Sequence, residues 1–567
     1  MSKTMKTFKH AVKPTVQLLC LATLFGLAAC DPGLPESSSC FSASGYAAPL
    51  SQAEFNSLPP EEQYQVASKL YGTLFRGISA EDFFNLEAGT TSLSSKSNTF
   101  LVDTKQALET TLTVQELLAA DTLIEGFDEE GNPNEDDAKY SFDTDTEADR
   151  NKKVMQLPLA RIKEYPISRD LYVQWMAYFL SNTIMYSPAV EMESTDTVDA
   201  QNMYRFLTTN LREGNSVRQM VRSNLPSLAR WRVSRSSENH ALEAYELYLG
   251  LFETEEDSVK GGIACKDFYL TDEDSGYVIS TTNIPNTEPQ LILDAYFITT
   301  CEDLYDVIAG HPLIMPRAVE VLTNYLFAGR SREDRVNIIN SIVSSGAETY
   351  EDIFTAMIFS REYLLKTERP RSFEESLMPL LDSLKWNPEP AGTGTIGKPI
   401  FENMASSYRG SNLYLGNKGW HSMTLKIGRL PDVPLDALSF ANYHKGVRES
   451  LLLNEGSYNG RQLDIPGLIY KGEDGAGDDN VRDAVAQLSL TDYIHFLFLN
   501  TMQRKATAEE VDGLITIFDG LNYLTTDTDE IKIIRPSTSN TNHDNIAEVT
   551  FDYISRLPEF YYFKAIN

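Results

Sequence analysis

His240 is the histidine whose close neighbours in the sequence could do chemistry with it. If this segment is helical, Glu243 lies on the same face and Glu246 follows one turn later, because residues three and four apart are neighbours on a helix. An imidazole beside carboxylates could bind a metal ion or serve as a general acid or base. The alternative is a capped, partly exposed helix that begins at Ser236 or Ser237.

The other candidate histidines lie in segments typical of loops. His311 stands between glycine and proline, and His421 directly follows Trp420. Loop residues carry function more often than core residues do. If these side chains and His444 meet His240 and its carboxylates in one pocket, the site would suit a hydrolase, with or without a bound cation. The alternative for each is a structural histidine that is satisfied by hydrogen bonds. The sequence has no HExxH pattern.

The glycine-rich segment Gly392–Lys398 matches both GxGxxG and GxxxxGK. Both phosphate-binding motifs need a preceding strand and a following helix, so that backbone amides point at the phosphate. Here the segment follows 386–390, which contains two prolines, and Pro399 stands where a magnesium-binding Ser or Thr belongs. The sequence therefore favours a glycine linker, and we predict no nucleotide cofactor.

Other catalytic and metal-binding patterns give no assignment. The sequence contains no GxSxG or SxxK motif for a nucleophilic serine, and no CxxC or CxxCH motif for redox chemistry or haem attachment. The acidic segments Asp128–Asp149 and Asp272–Asp274 could bind calcium weakly, but they lack EF-hand spacing and are typical of solvated loops. We therefore predict no metal and no cofactor, leave the catalytic residues unassigned, and favour a protein that is not an enzyme.

The first thirty residues have the pattern of a secretory signal. A lysine-containing start precedes the apolar run Val16–Leu27, and Leu27-Ala28-Ala29-Cys30 follows. This ending resembles the lipobox of bacterial lipoproteins. The resemblance implies cleavage before Cys30, acylation of its thiol with chains such as palmitate, and membrane anchoring of the new N-terminus. The alternative is an ordinary signal peptide with a chance cysteine. The apolar run is too short for a membrane-spanning helix of about 20 residues.

The remaining cysteines predict one disulfide in an oxidising compartment. Cys265 and Cys301 flank one short segment and are the expected pair, while Cys40 is left as the odd cysteine. In the chain-entropy model, closing a loop of this size stabilises the fold by about 4 kcal/mol.

The charge of the chain excludes one class of partner. It has 49 Lys and Arg against 81 Asp and Glu, a formal net charge of −32. Nucleic-acid binding needs a basic surface, and charge-driven binding to anionic lipid needs basic clusters. We therefore expect no nucleic-acid partner, and we expect the acyl chains on Cys30 to provide the membrane contact.

Most of the chain has helical periodicity. Three segments share an apolar helix end, a short break and a Ser or Thr that could cap the next helix: Leu74–Asp82, Leu326–Asp334 and Met502–Glu510. The predicted fold is mainly α, built from repeated helical hairpins. Segments Asp267–Thr271 and Tyr277–Thr282 predict a small β-hairpin beside the disulfide. The region 389–485 is rich in Gly, Pro and aromatic residues and predicts a long irregular insert.

These patterns divide the chain into seven predicted segments. They are the signal peptide 1–29, a lipidated flexible tether 30–60, an N-terminal helical domain 61–255, a β-hairpin insert 256–302, a helical repeat unit 303–388, the irregular aromatic region 389–485 and a C-terminal helical repeat unit 486–567.

Two short sequences at predicted helix ends resemble known families. Ser360–Leu365 and Leu557–Tyr562, together with Gly416–Trp420, are similar to motifs of the DUF-eighteen-hundred family of unknown function. The first two also resemble helical modules beside the cytochrome domains of planctomycete secreted proteins. The resemblance covers Pro316–Trp420 and Leu488–Phe563. It implies an all-helical envelope protein and brings no catalytic residues.

The sequence thus predicts a lipid-anchored protein of the cell envelope, on the inner or outer membrane, that faces the periplasm or the cell surface. The first hypothesis for its function is a non-catalytic binding or assembly module with an envelope protein as its partner. The alternative is an envelope hydrolase that uses histidine and carboxylate residues, with or without a cation.

Overall fold

The computed structural model of the chain describes residues 45–84, 93, 95–120, 161–162, 165–181, 183–185, 197–227, 236–273, 276–281, 284–383, 489–527, 530–535 and 541–566. All of them belong to the unit Ala43–Asn567. Several predictions lie outside the described residues: those for Cys30 and Cys40, the acidic segment 128–149, the glycine-rich Gly392–Lys398, the irregular region 389–485, and both His421 and His444.

The N-terminal part is helical. Its α-helices are α1 (Gln52–Ser57), α2 (Pro60–Thr73), α3 (Ala80–Phe83), α4 (Phe100–Glu109), α5 (Val114–Ala120), α6 (Arg169–Ser181), α7 (Thr197–Arg212) and α8 (Val217–Asn224). Two short 3-10 helices, Gly45–Ala47 and Ser95–Thr99, precede α1 and α4.

A flexible tether is predicted over residues 30–60, but from Gly45 onward this segment is folded. Ser51 and Glu54 form a capping box that starts α1, an arrangement that satisfies two backbone donors at once. Leu50 is buried, and its amide donates a hydrogen bond to the carbonyl of Phe359 at 2.8 Å. Residues 45–60 are therefore part of the folded unit, although their composition is typical of a linker.

Helix α6 forms the centre of the core. Every side chain from Asp170 to Leu180 is buried, as expected for a helix that is surrounded by other elements. The ring centres of Trp175 and Phe354 are 4.9 Å apart, and those of Phe179 and Tyr325 are 4.7 Å apart. These edge-to-face contacts pack α6 against the middle of the chain.

The middle part contains helices and two small antiparallel sheets. The helices are α9 (Ser237–Ala244), which continues as a π-helical turn over Tyr245–Leu249, α10 (Glu255–Ala264), α11 (Cys301–Gly310), α12 (Ile314–Leu326), α13 (Arg332–Ser344), α14 (Tyr350–Ile358), α15 (Arg361–Lys366) and α16 (Phe373–Ser383). Strand β1 (Phe268–Glu273) pairs with β2 (Gly276–Thr281), and β3 (Gln290–Ile292) pairs with β4 (Tyr296–Ile298).

The predicted disulfide and the hairpin beside it are confirmed. Cys265 and Cys301 are bonded, and both are fully buried. Strands β1 and β2 lie where the segments Asp267–Thr271 and Tyr277–Thr282 predict a hairpin, within one or two residues at each end. The second sheet, β3 with β4, was not predicted, because its strands are only three residues long.

The C-terminal part returns to the middle of the chain. It contains α17 (Leu490–Met502), α18 (Ala508–Gly520), β6 (Leu524–Thr526), β7 (Lys532–Ile534), α19 (Thr541–Ile554), a 3-10 helix Pro558–Tyr561 and β8 (Tyr562–Phe563). Strand β8 pairs antiparallel with β5 (Arg369–Pro370). Arg369 thus lies opposite Phe563, and the amide of Ile566 donates to the carbonyl of Leu365 in α15 at 2.7 Å.

The mainly helical class is confirmed for the described residues, where the strands form only two-stranded sheets. Two predicted caps are also present. Thr507 forms a capping box with Glu510, and the side chain of Ser331 accepts from the amide of Asp334. Among the residues that the structure describes, no helix is both long and apolar enough to span a bilayer.

Candidate functional site

His240 lies inside the fold on α9. Ser236 caps this helix. The sequence had offered Ser236 or Ser237 as its start. The imidazole is fully buried, and its Nε2 lies 3.1 Å from the hydroxyl of Tyr305 on α11. The Tyr305 ring meets it edge to face. Glu243 and Glu246 are only partly buried. The geometry is that of a packed core histidine with a tyrosine hydroxyl as its neighbour.

His311 has a different environment. It follows the last residue of α11, about 9 Å along the helix axis from Tyr305 at 1.5 Å per residue. Its Nδ1 accepts a hydrogen bond from the amide of Leu313 at 3.2 Å. Partial burial, followed by the charge of Arg218, lowers the pKa of His311. The hydrogen bonds described for His240 and His311 thus go to different residues.

His495 lies on a different helix, α17. Partial burial, followed by the charge of Lys505, lowers its pKa. Within the described ranges, no group of three or more His, Cys, Asp or Glu residues is arranged to hold a metal ion. The predicted meeting of the histidines stays untested for His421 and His444, which lie outside those ranges.

A network of buried charged side chains lies in the described core. We define the arginine network as Lys69, Tyr363, Arg369, Arg371 and Glu375. At its centre Arg369 donates from Nη1 to Oε2 of Glu375 at 2.8 Å and from Nη2 to Oε1 at 2.6 Å. Both side chains are 1% exposed. Although burial acts against the charge, Glu375 holds the pKa of Arg369 well above its ordinary value.

Further hydrogen bonds satisfy the carboxylate of Glu375. Its Oε2 accepts from the amide of Ser372 at 2.7 Å and from the hydroxyl of Tyr325 at 3.2 Å. The amide of Glu375 in turn donates to the Ser372 hydroxyl at 3.1 Å, which completes the reciprocal pattern of a capping box. The same carboxylate therefore starts α16 and neutralises Arg369.

Tyr363 connects the central pair to α2. Its hydroxyl accepts from Nη2 of Arg369 at 2.8 Å and is hydrogen-bonded to the hydroxyl of Thr73. Burial, ahead of any neighbouring charge, raises the pKa of Tyr363. The phenol is thus neutral at ordinary pH and is able both to donate and to accept.

Lys69 joins the C-terminal end of the chain to this core. Its Nζ donates to the carbonyl of Thr367 and, at 3.3 Å, to the carbonyl of Lys564. It also lies 5.0 Å from the centre of the Tyr363 ring. Burial, followed by the charge of Arg369, lowers its pKa well below the ordinary value. A lysine in this position is expensive to keep protonated.

Arg371 completes the network on the side of α17. It donates from Nη2 to Oε1 of Gln503 at 2.6 Å. Its guanidinium lies 4.6 Å from the ring of Phe563, and that of Arg369 lies 4.8 Å from the same ring. Cation–π contacts of desolvated cations are worth about 2 kcal/mol each. The two arginines therefore hold β8 in place.

The hydrogen bonds of the arginine network connect separate elements of the fold. The hydrogen bonds described above go to side chains of the network, to its immediate neighbours and to backbone carbonyls. Its members come from α2 (Lys69), from α15 (Tyr363), from the segment between α15 and α16 (Arg369 and Arg371), and from α16 (Glu375). The chemistry is that of a buried ion pair with satisfied lone pairs, the arrangement in which such pairs are tolerated.

The chain matches no protein-family model, no curated protein and no solved structure.

Proposed function

We propose that the protein is a lipid-anchored envelope protein that acts as a binding or assembly module. The observation that carries this proposal is the sequence Leu27-Ala28-Ala29-Cys30 after a basic start and an apolar run. The buried Cys265–Cys301 disulfide supports it independently, because stable disulfides form outside the reducing cytoplasm.

The helical architecture supports the binding part of the proposal. The caps at Ser331 and Thr507 begin helices in two of the segments that carry the repeated pattern. Repeated helical hairpins stack into extended surfaces that suit protein partners. In this proposal the segments 303–388 and 486–567 are such units, and the aromatic region 389–485 is the part that the protein presents to its partner.

The anchor is tested by replacing the cysteine. In cells that receive labelled palmitate, the full-length protein should carry the label and sediment with membranes. The variant Cys30→Ala should lose both properties, because its thiol cannot be acylated. The variant Cys40→Ala is the matched control and should keep them. Equal labelling of the wild type and Cys30→Ala would contradict the anchor.

The binding function is tested on the native protein. The lipoprotein is solubilised in mild detergent and purified, and the eluate is analysed by mass spectrometry and for metals. One protein partner in stoichiometric amount, without a metal, is the expected result. A stoichiometric metal with no partner would contradict the proposal and favour the hydrolase alternative with its histidines.

A further inference from the structure

The hairpin of β3 and β4 presents two large apolar side chains to solvent. Phe297 is 73% exposed and Leu291 is 37% exposed, and the two are cross-strand partners. Cross-strand partners lie on the same face of a sheet. Ile292 and Ile298, which alternate with them, are buried. The hairpin therefore holds one face in the core and turns the Leu291–Phe297 face outward.

The surrounding structure holds this face in a fixed position. The amide of Leu293, at the hairpin turn, donates to Oδ1 of Asp257 on α10 at 3.1 Å. Asn286 donates from Nδ2 to the carbonyl of Glu288 at 2.6 Å and to the carbonyl of Thr299 at 3.0 Å. The Cys265–Cys301 disulfide joins the two helices that flank the hairpins. A preorganised apolar face loses little conformational entropy when it binds.

The part of the chain that carries this face is strongly acidic. From Glu253 to Asp306 the sequence has thirteen Asp and Glu residues and two Lys residues. One of those lysines, Lys260, is already paired with Glu256 at 2.9 Å. Glu302 and Asp306 share Arg222 on α8 and stay largely exposed. We name residues 253–306 the acidic lobe.

We propose that Leu291 and Phe297 form the apolar centre of a docking surface for a cationic, amphipathic segment of a partner protein. This proposal rests on the proposed function as a binding module. An aromatic anchor at the centre of a polar rim is the usual arrangement of an interface. Asp257 contacts the hairpin turn, and Glu288 and Asp294 adjoin its strands in the sequence, so lysine and arginine beside apolar residues complement this surface.

The same charge disfavours two other occupants. A second copy of the chain would bring another acidic lobe against the first, and like charges across an interface cost several kcal/mol. An anionic bilayer would repel the lobe for the same reason, since membrane-surface binding by charge needs basic clusters. A basic protein segment is the occupant that both the apolar face and the charge favour.

Site-specific crosslinking in cells tests the occupant. Phe297 is replaced by a photoreactive residue, Phe297→p-benzoylphenylalanine, in the full-length anchored protein. The control is Val102→p-benzoylphenylalanine, because Val102 on α4 is 55% exposed and lies outside the acidic lobe. The expected adduct is a protein segment that contains Lys or Arg among apolar residues and is seen only from position 297. An adduct with lipid, with a second copy or with an acidic segment, or no adduct, would overturn the proposal.

A binding measurement tests the chemistry directly. The probe is a synthetic amphipathic peptide of leucine and lysine, and its counterpart has glutamate in place of lysine. Phe297→Ser should weaken binding of the lysine peptide at least about tenfold, and added salt should weaken it further. Val102→Ser should leave it unchanged, and circular dichroism confirms that the variants fold. Equal binding of both peptides, or no effect of Phe297→Ser, would overturn the proposal.

The outcomes separate this proposal from the proposed function. A stoichiometric partner that co-purifies but is never crosslinked from position 297 overturns the docking surface and leaves the binding function standing. If no partner co-purifies and none is crosslinked from position 297, both the docking surface and the binding function are contradicted.

Discussion

Arg369 and Glu375 face each other through two hydrogen bonds inside the core, with Nη1 to Oε2 at 2.8 Å and Nη2 to Oε1 at 2.6 Å. They are six residues apart and both side chains are 1% exposed. Breaking a buried pair of this kind leaves one charge without compensation in the core. Arg369 also contacts Phe563, so the pair lies directly beside the C-terminal strand.

The first prediction concerns Glu375→Gln. We expect the free energy of unfolding to fall by about 3–5 kcal/mol, because the Arg369 guanidinium stays buried without its counter-charge. The exposed pair of Arg222 and Glu302 provides the control, since Glu302→Gln should cost about 0–1 kcal/mol. Urea unfolding followed by circular dichroism measures both. If the double variant Arg369→Met/Glu375→Leu is as unstable as Glu375→Gln, unpaired charge is not the cause.

The second prediction concerns Lys69 and pH. Burial, followed by the charge of Arg369, lowers the pKa of Lys69 in the folded state, whereas an unfolded lysine has a pKa of about 10.4. At a pH between these two pKa values, Lys69 is protonated in the unfolded chain and neutral in the folded one. The free energy of unfolding that depends on Lys69 therefore rises as the pH rises through this range.

The measurement compares the wild type with Lys69→Met in urea from about pH 7 to about pH 10. The wild type should gain stability relative to the variant as the pH increases. Lys532→Met is the control, because Lys532 is 40% exposed and pairs with Asp519 at the surface. The difference in the free energy of unfolding between the wild type and Lys532→Met should not grow as the pH rises. Parallel pH curves for the wild type and Lys69→Met would show that the buried ammonium group does not release its proton in this range.

The sequence predicted the parts of the fold that depend on neighbouring residues. The caps at Ser331 and Thr507 need only an acidic residue three positions later, and the Cys265–Cys301 pair flanks a single short segment. The arginine network was missed, although Ser372 and Glu375 carry a capping-box signature. Several of its other contacts are long-range, such as Lys69 to the carbonyl of Lys564 across 495 residues. No local pattern reports such a contact.

The histidine site shows the same limit. Helical spacing placed His240 and Glu243 on one helix, and α9 confirms the helix. Spacing could not show that the His240 imidazole points into the core toward Tyr305, which is 65 residues away. Burial is a property of the packed chain, and a single histidine on a predicted helix carries no signal for it.

The third prediction concerns the disulfide. The bond joins residues with a sequence separation of 36, and in the chain-entropy model a loop of that size stabilises the fold by about 4 kcal/mol. The variant Cys265→Ala/Cys301→Ala should lose about that amount in urea unfolding. Cys40→Ala is the control and should unfold like the wild type. If a reductant lowers the stability of the double variant as much as that of the wild type, a different disulfide is responsible.

The fourth prediction compares two glycines whose surroundings differ. A Cβ at Gly329 would lie 1.6 Å from the backbone carbonyl oxygen of Glu368, whereas a Cβ at Gly513 would have no neighbour within 4 Å. Gly329→Ala must displace backbone, so we expect a loss of about 3 kcal/mol or more. Gly513 lies inside α18, where alanine favours the helix, so Gly513→Ala should gain about 0.5–1 kcal/mol. Thermal unfolding measures both, and equal melting temperatures for the two variants would show that Gly329 is not held by this close approach.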